Sequence, residues 1–322
     1  MIEQRLPDIQ DVRDALPRVT PYMHRTPLMG SRTLSDLTGH KVFLKCENLQ
    51  KTGSFKPRGA LNRIATLTGP QRSAGIITVS AGNNAQGMAF AARANGVHAV
   101  VVMPESAMPS KVAATRDYGA EVILHGDVHA AFEKLEQIRQ ERGLTLIHPF
   151  DDAMLIAGHG TLGIEILEQL PETDAVVCGI GGGGLSGGLG IALAGLGGRA
   201  RLFGAEPEGA ATMTAALEAG KPVHLDEVAT IADGLAPPFV GHLNLAIAQQ
   251  HVDTVALVSD AQIRQAMRLL LERTKLVVEP SGAAGLAALL AGRLPIPAGA
   301  NVVLVLSGGN VELDRLADLI AP

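Results

Sequence analysis

The stretch DAVVCGIGGGGLSGG (174–188) joins a short β-branched apolar run to a cluster of glycines. Its first half, residues 174–180, has the composition of a buried strand, and the glycines that follow permit a tight turn. Successive backbone N–H groups in such a turn can surround a phosphate, and a helix that starts there adds the positive end of its dipole. The stretch predicts a strand, a phosphate-binding turn and a helix, in that order.

The same alternation of short apolar runs and longer helical periodicity continues on both sides, from about residue 41 onward. Pro57 and Pro109 fall at first-turn positions of predicted helices, Gly143 at a helix end and Ser259 at an N-cap. Strands that alternate with helices predict an α/β fold, in which mainly parallel, twisted sheets are flanked by helices. The other predicted strands are 41–46, 75–79, 99–103, 121–125, 201–206, 254–258 and 301–306.

Length, charge and composition narrow the class of protein. The 322 residues, 47% of them hydrophobic, suffice for two domains with buried cores. The net charge of −5 is not concentrated in blocks, which argues against nucleic-acid and membrane partners and favours a small-molecule ligand.

Residues 1–16 are charged and lack the apolar segment of a signal peptide, and the only cysteines are Cys46 and Cys178. We therefore expect a cytoplasmic protein without a disulfide framework or zinc module.

The first candidate for covalent chemistry is Lys56 in ENLQKTGSFKPRGA (47–60), where a strand ends and a helix opens at Pro57. The positive end of a helix dipole disfavours an ammonium and lowers the lysine pKa, which suits an amine that attacks an aldehyde. From the spacing alone, however, a solvated surface lysine is the commoner interpretation.

Two further turns follow predicted strands. SAGNNAQG (80–87) has free backbone N–H groups at the start of an Ala-rich helix and predicts a carboxylate or phosphate site, although a plain helix cap explains it equally well. VLVLSGGN (303–310) ends a buried strand at Ser307, whose hydroxyl would lie at the edge of the sheet where ligands of open α/β folds bind. On its own, this second motif is better explained as a structural turn.

The glycine turn also fits a different cofactor. Gly179, Gly181 and Gly184 satisfy G-x-G-x-x-G, and Glu206 ends the next strand where dinucleotide-binding folds place a ribose-binding acid. Taken by itself, the turn is compatible with a nicotinamide-dependent oxidoreductase.

The ordered set SFK, SAGNNAQG, GGGGL and SGGN resembles the pyridoxal-phosphate enzymes of fold type II, specifically the group of serine/threonine dehydratases and serine racemases. The resemblance extends over essentially the whole chain and favours this family over a nicotinamide enzyme. It implies a tryptophan synthase β-like fold with a large cofactor-binding domain at 1–72 and 149–322 and a small mobile domain at 73–148. It also implies a homodimer.

The resemblance implies roles for the motif residues. Lys56 would hold pyridoxal 5′-phosphate as a Schiff base, Asn83 would hydrogen-bond its 3′-oxygen, and Ser307 would meet the ring nitrogen. The other expected cofactor contacts are Phe55, Gly181, Gly182, Gly183, Gly184 and Leu185. The substrate carboxylate would lie on the turn that contains Ser80, Ala81, Gly82, Asn83 and Asn84.

The implied reaction is an α,β-elimination. Lys56 would remove the α-proton and the β-hydroxyl would leave from a β-hydroxy-α-amino acid of the serine/threonine type, and the resulting aminoacrylate would be hydrolysed to a 2-oxo acid and ammonia. A neutral partner at the ring nitrogen, Ser307, favours elimination over the chemistry of a longer-lived carbanion. Racemases of the group place a second serine where this chain has Ala81. An amino-acid racemase is therefore the alternative, and a cofactor-binding protein without turnover is a third hypothesis.

Two other departures from the group concern substrate and metal. Asn84 replaces the histidine that usually follows GN, so the substrate can differ from plain serine or threonine. Glu206 stands in the place of one acidic ligand of the group's divalent-cation site, whereas Thr212 stands where a second carboxylate is expected. Hard cations need several oxygen ligands, so we expect no resident metal unless waters and carbonyls complete the shell.

Overall fold

A computed structural model describes residues 5–321, and the first four residues of the charged N-terminal segment lie outside this range. Every strand predicted from the sequence is present, to within one residue at either end. The short strands β1 and β6 were not predicted, because three and two residues are too few for a periodic pattern. The strands are β1 (Leu28–Gly30), β2 (Lys41–Lys45), β3 (Ile76–Val79), β4 (Ala99–Met103), β5 (Glu121–Leu124), β6 (Thr145–Leu146), β7 (Ala175–Gly179), β8 (Arg201–Pro207), β9 (Thr254–Val258) and β10 (Asn301–Val305).

The helices are α1 (Ile9–Val19), α2 (Arg32–Thr38), α3 (Pro57–Ala65), α4 (Gly69–Ala74), α5 (Asn83–Ala94), α6 (Pro109–Asp117), α7 (Val128–Arg142), α8 (Ala153–Gln169), α9 (Gly184–Gly195), α10 (Thr212–Ala219), α11 (His242–His251), α12 (Asp260–Thr274), α13 (Pro280–Leu290) and α14 (Leu313–Ile320). The predicted end signals are confirmed: prolines open α3 and α6, Gly143 ends α7 in the left-handed conformation, and Ser259 forms a capping box with Gln262 at the start of α12. None of the helices in residues 5–321 is long and apolar enough to span a membrane.

The larger sheet has six strands in the order β1-β2-β10-β7-β8-β9. All neighbouring strands are parallel except β1, which pairs antiparallel with β2 at the edge. Both faces of the central strand β10 are buried: Val302 and Leu304 face a core with α12 and α13, whereas Val303 and Val305 face a core with α8 and α9. This two-sided covering is why the central strands are continuous apolar runs, and it confirms the predicted α/β class.

The smaller sheet has four parallel strands in the order β5-β4-β3-β6. Its strands lie between residues 76 and 146, within the range 73–148 that the sequence predicts as the small domain. The sheet has a core of its own, in which Ile77, Val100 and Val102 pack against α7. The exact domain boundaries and the mobility of the small domain remain predictions.

Helix α8 holds α3 and α9 at backbone contact. A Cβ added at Gly158 of α8 would lie 2.5 Å from the carbonyl oxygen of Arg58 in α3. A Cβ added at Gly188 of α9 would lie 2.5 Å from the carbonyl oxygen of Ile156 in α8. These glycines let the three helix backbones approach closely, so the starts of α3 and α9, which carry Lys56 and the glycine turn, are held by the same helix.

A buried ion cluster of Lys45, Glu47, Arg58 and Glu165 joins β2, α3 and α8. Arg58 donates to both carboxylate oxygens of Glu47 at 2.7 and 2.8 Å and to Glu165 at 2.8 Å. Lys45 Nζ donates to Glu165 at 2.6 Å. Since Arg58 follows Lys56 by two residues, the buried ion cluster anchors the first turn of α3.

Candidate active site

A cavity of 440 Å³ opens between the two sheets, beyond the carboxyl ends of β3, β4, β7 and β10. Ligands of open α/β sheets bind at such an edge because turns from several strands meet there. Every site residue predicted from the sequence lines this cavity: Phe55, Lys56, Ser80, Ala81, Gly82, Asn83, Asn84, Gly181, Gly182, Gly183, Gly184, Leu185 and Ser307. The structure brings these residues together, while their individual roles remain predictions.

The glycine turn between β7 and α9 presents a row of unpaired backbone donors. The N–H groups of residues 181–186 make no hydrogen bond with any residue of the range 5–321. Gly183 has a φ of 91°, and a Cβ there would lie 2.8 Å from both Asn244 Cβ and Met213 Cε. Because α9 begins at Gly184, its dipole adds to these donors. The turn has the donors and the compact backbone that a phosphate requires.

Lys56 is the N-cap residue of α3, and its side chain lines the cavity. Its Nζ makes no hydrogen bond with a described residue and lies 5.1 Å from the centre of the Phe55 ring. Burial lowers the pKa of Lys56 to about 8, against the opposing charge of Glu279. The direction agrees with the expectation from the sequence, but its main cause is burial rather than the helix terminus. An amine with this pKa is partly neutral near neutral pH, as a nucleophile or base must be.

Phe55 and Ser307 form the wall beside Lys56. The backbone N–H of Phe55 donates to the carbonyl of Ser307 at 3.0 Å, which ties the start of α3 to the end of β10. The Phe55 ring packs edge-on against His159, with ring centres 4.7 Å apart, and burial lowers the pKa of His159 well below its ordinary value. The Ser307 hydroxyl lines the cavity and has no hydrogen-bond partner within the described chain. This hydroxyl is therefore available to a ligand atom.

The turn between β3 and α5 offers a second set of donors. The backbone N–H groups of Ala81, Asn83 and Asn84 have no partner among residues 5–321, whereas that of Gly82 donates to Ser80 Oγ at 3.2 Å. The Asn84 side chain is buried, and its Nδ2 likewise lacks a partner among the described residues. Three convergent N–H groups at a helix start suit a carboxylate.

Glu279 is the most informative cavity residue that the sequence analysis missed. It precedes α13, is 8% exposed, and accepts a hydrogen bond from Asn83 Nδ2 at 2.6 Å. Burial raises the pKa of Glu279 to about 7, against the opposing effects of Lys111 and of the Asn83 hydrogen bond. The available signal was a lone glutamate before a proline in the otherwise apolar stretch 277–289.

A second missed group lies at the mouth of the cavity, between α6 and the larger sheet. Arg315 binds both carboxylate oxygens of Asp233, at 2.6 and 3.1 Å, and Lys111 Nζ lies 3.9 Å from the same carboxylate. The hydroxyl of Ser110 donates to Glu312. These contacts connect α6 with two parts of the chain on the opposite side of the mouth. One is the loop that contains Asp233, and the other is the start of α14 at Glu312. No motif marks them, since the partners are 82 or more residues apart in the sequence.

Comparison with known proteins identifies the family. A family model described as "Pyridoxal-phosphate dependent enzyme" matches residues 19–308. The chain belongs to this family. An L-threonine ammonia-lyase from Thermotoga maritima is 40% identical over 313 residues, which cover 97% of this chain and 78% of that protein. An L-threo-3-hydroxyaspartate ammonia-lyase from a Pseudomonas species is 40% identical over 317 residues, which cover 98% of this chain and 99% of that protein.

The solved structures agree with this family. Maize serine racemase superposes with a TM-score of 0.93 at 38% identity, and the match covers 98% of this chain and 97% of that one. The predicted family, fold class and cofactor are thereby confirmed, and the nicotinamide interpretation of the glycine turn is wrong.

The polar groups that line the cavity fit pyridoxal phosphate, the cofactor of this family. The glycine turn supplies unpaired N–H groups for a phosphate, and Lys56 supplies an unpaired amine for an aldehyde. A Cβ at Gly182 would lie 2.3 Å from the Phe150 ring, so only glycine lets the turn pack against that ring. The free hydroxyl of Ser307 supplies a neutral polar group of the kind that the resemblance assigns to the ring nitrogen.

The residues near Glu206 do not fit a divalent cation. The Glu206 carboxylate accepts hydrogen bonds from the Met213 N–H at 2.7 Å, the Thr214 N–H at 2.9 Å and the Thr214 hydroxyl at 2.7 Å. Thr212 directs its hydroxyl to the carbonyl of Pro237 at 2.9 Å. Within residues 5–321 there is no group of three or more His, Cys, Asp or Glu side chains arranged to hold a metal. Glu206 caps the start of α10 instead.

Proposed function

We propose that this chain is an ammonia-lyase that removes the elements of water from a β-hydroxy-α-amino acid of the serine/threonine type. A water molecule then hydrolyses the resulting enamine to a 2-oxo acid and ammonia. The predicted reaction class, a pyridoxal-phosphate-dependent lyase, is confirmed by the ammonia-lyase relatives. The residue roles are the proposal. One observation carries them: the unpaired Lys56 amine, with its lowered pKa, shares a cavity with the donor turn after β3 and the glycine turn after β7.

Lys56 is the proposed base that takes the α-proton. The cofactor, when bound, supplies an electron sink for the pair left on Cα. The N–H groups of Ala81, Asn83 and Asn84 would hold the substrate carboxylate, which fixes the amino acid relative to Lys56. Ser307 is a neutral hydroxyl, so the cofactor ring would withdraw electrons only moderately. This favours departure of the β-hydroxide over reprotonation of Cα.

Racemisation is the second candidate function, because the fold matches that of maize serine racemase closely. A racemase that uses two bases needs a proton donor on the face opposite the lysine. Ala81, at the turn where a second serine is expected, carries only a methyl group. This residue favours elimination.

The substrate is proposed at the level of its class. One relative is named for threonine and another, equally identical, for threo-3-hydroxyaspartate. Both are β-hydroxy-α-amino acids. Asn84, in the turn proposed to bind the carboxylate, is the residue that would discriminate between these two substrates, because its buried Nδ2 lacks a partner in the described chain.

The deciding experiment is a panel of L-serine, L-threonine and L-threo-3-hydroxyaspartate, scored for 2-oxo acid, ammonia and the D-isomer. We expect 2-oxo acid and ammonia in equal amounts from at least one member. D-isomer formed faster than 2-oxo acid would overturn the lyase proposal in favour of racemisation. No turnover of any member, by a protein that has bound its cofactor, would overturn both.

We further propose a cytoplasmic homodimer in which the large domain, 1–72 and 149–322, forms the interface and the small domain, 73–148, closes over substrate. Cys46 and Cys178 are buried and unpaired, and burial raises the pKa of these thiols to about 11 and about 12, which suits a reducing compartment. Sedimentation equilibrium tests the dimer: a monomer mass at micromolar protein concentration would exclude it.

A further inference from the structure

The side chain of Asn83 is held at both ends. Its Nδ2 donates to Glu279 Oε1 at 2.6 Å, and its Oδ1 accepts from Asn310 Nδ2 at 2.8 Å. Asn310 is itself oriented, since its Nδ2 also donates to the carbonyl of Thr52 at 2.7 Å. A carbonyl can only accept and a carboxylate mainly accepts, so these partners determine which end of each amide is nitrogen. The four groups form a connected chain in which Asn310 donates to Thr52 and to Asn83, and Asn83 donates to Glu279.

This chain leaves Asn83 with one unused donor. An amide nitrogen carries two N–H groups, and Glu279 is the one acceptor of Asn83 Nδ2 among residues 5–321. Asn83 also lines the cavity beside Lys56. If the amide turned over, its oxygen would face the Glu279 carboxylate and its nitrogen would face the Asn310 amide nitrogen. Both contacts would be repulsive, so the orientation that keeps a donor for the cavity is strongly preferred.

The backbone around this pair makes room for it. A Cβ added at Gly308 would lie 2.4 Å from Glu279 Oε1 and 3.0 Å from Asn83 Nδ2. A Cβ added at Gly53 would lie 2.3 Å from Asn310 Oδ1, at a backbone φ of 68°. The Glu279 main chain is fixed as well, because its N–H donates to the carbonyl of Gly308 at 3.1 Å. Glycine at both positions therefore keeps the space that the hydrogen-bonded side chains occupy.

We propose that Glu279 is a positioning residue that, together with Asn310, fixes the Asn83 amide so that it presents an N–H to an oxygen of the bound cofactor. The inference deepens the proposed function but rests on cofactor binding alone. It holds equally for a lyase and for a racemase, and its test needs no substrate. Failure of the lyase assay and failure of this inference are therefore distinguishable.

The test measures the dissociation constant of pyridoxal phosphate by its visible absorbance, starting from the holoenzyme and removing cofactor by dialysis. Glu279→Leu removes the acceptor, and we expect about a tenfold weaker affinity, as for loss of a buried hydrogen bond that leaves its donor unpaired. Glu279→Gln keeps an acceptor oxygen and removes the charge, and we expect an affinity within about twofold of wild type. Glu312→Gln, at the cavity mouth and without contact to Asn83, is the matched control.

Two further variants keep the inference open to contradiction. Gly308→Ala retains both partners and pushes them apart, so it should weaken cofactor binding by a factor similar to Glu279→Leu. A double-mutant cycle with Asn83→Ala tests whether Glu279 acts through Asn83, because residues that work through one hydrogen bond lose their effect together. Losses that multiply in the double variant, or a Glu279→Gln defect as large as that of Glu279→Leu, would overturn the proposal.

Discussion

Lys45, whose side chain is fully buried, and Lys56, which is partly buried in the cavity, lie eleven residues apart in the sequence and have opposite surroundings. In the buried ion cluster, Lys45 Nζ donates to the Thr26 carbonyl at 2.8 Å, Glu165 at 2.6 Å and Gln169 at 2.7 Å, which uses all three of its N–H groups. In the cavity, Lys56 Nζ makes no hydrogen bond with a described residue. Burial lowers the pKa of both side chains, but Glu165 compensates Lys45 directly.

This difference in hydrogen-bond partners distinguishes a structural lysine from a reactive one. A charge removed from water needs partners, and a complete set of partners makes it part of the structure. A lysine without partners keeps an amine that can react, at the expense of stability. The protein keeps both kinds within one short segment, because α3 carries Lys56 at its start and Arg58, a member of the ion cluster, in its first turn.

The largest expected effect comes from Lys56→Ala. We expect kcat/KM to fall by about 10⁴-fold or more, because the variant loses both the covalent anchor and the proposed base. The visible absorbance of the bound cofactor should disappear as well. The melting temperature should stay near that of wild-type protein freed of cofactor, since no hydrogen bond is lost. Residual activity of several per cent would mean that another group acts as the base.

The complementary change, Lys45→Met, should act on stability. It leaves the Gln169 side-chain oxygen without its donor, the Thr26 carbonyl with one donor fewer and Glu165 with one cation fewer, which we expect to lower the free energy of unfolding by about 3 kcal/mol. Urea denaturation measures this loss. The kcat of the folded variant should remain within about twofold of wild type. A large drop in kcat at unchanged stability would show that the two regions are not separate.

The smallest expected effect is a pH dependence of cofactor capture by protein freed of pyridoxal phosphate. Only the neutral amine of Lys56 attacks an aldehyde, and its pKa is lowered to about 8. The capture rate should rise about fivefold from pH 7 to pH 8 and less than about twofold from pH 8 to pH 9. Stopped-flow absorbance records it. A tenfold rise per pH unit continuing toward 10.5 would indicate a lysine with its ordinary pKa.

The main strands were predictable because they are short apolar runs, most of them rich in β-branched residues, bounded by glycine, proline or polar residues. Strands such as 301–305 and 175–179 are buried on both faces, so their composition alone marks them. β1 and β6 depend on pairing with β2 and β3, and segments of two or three residues such as Leu28–Gly30 contain no local signal. The order of the strands likewise follows from packing and could not be deduced from the pattern.

The site was predictable to the extent that its residues follow strands in recognisable turns. The motifs around Lys56, Asn83, Gly183 and Ser307 all lie at the carboxyl edge of a sheet, so they meet in one cavity. Glu279 was missed because its significance comes from Asn83, 196 residues away in sequence. The cause of the low Lys56 pKa was also missed, since burial of that amine depends on how the two sheets face each other.

The central position of β10 bears on how the protein is made. This strand lies between β2 and β7, and Asn301 pairs with Lys41. During translation, the edges of β2 and β7 that pair with β10 stay unpaired until residues 301–305 emerge from the ribosome. The four-stranded sheet, in contrast, can form as soon as residue 146 has emerged. Long-range pairing of this kind slows folding and exposes apolar edges to aggregation. The larger sheet is thus the part of the nascent chain with the greatest need of chaperones.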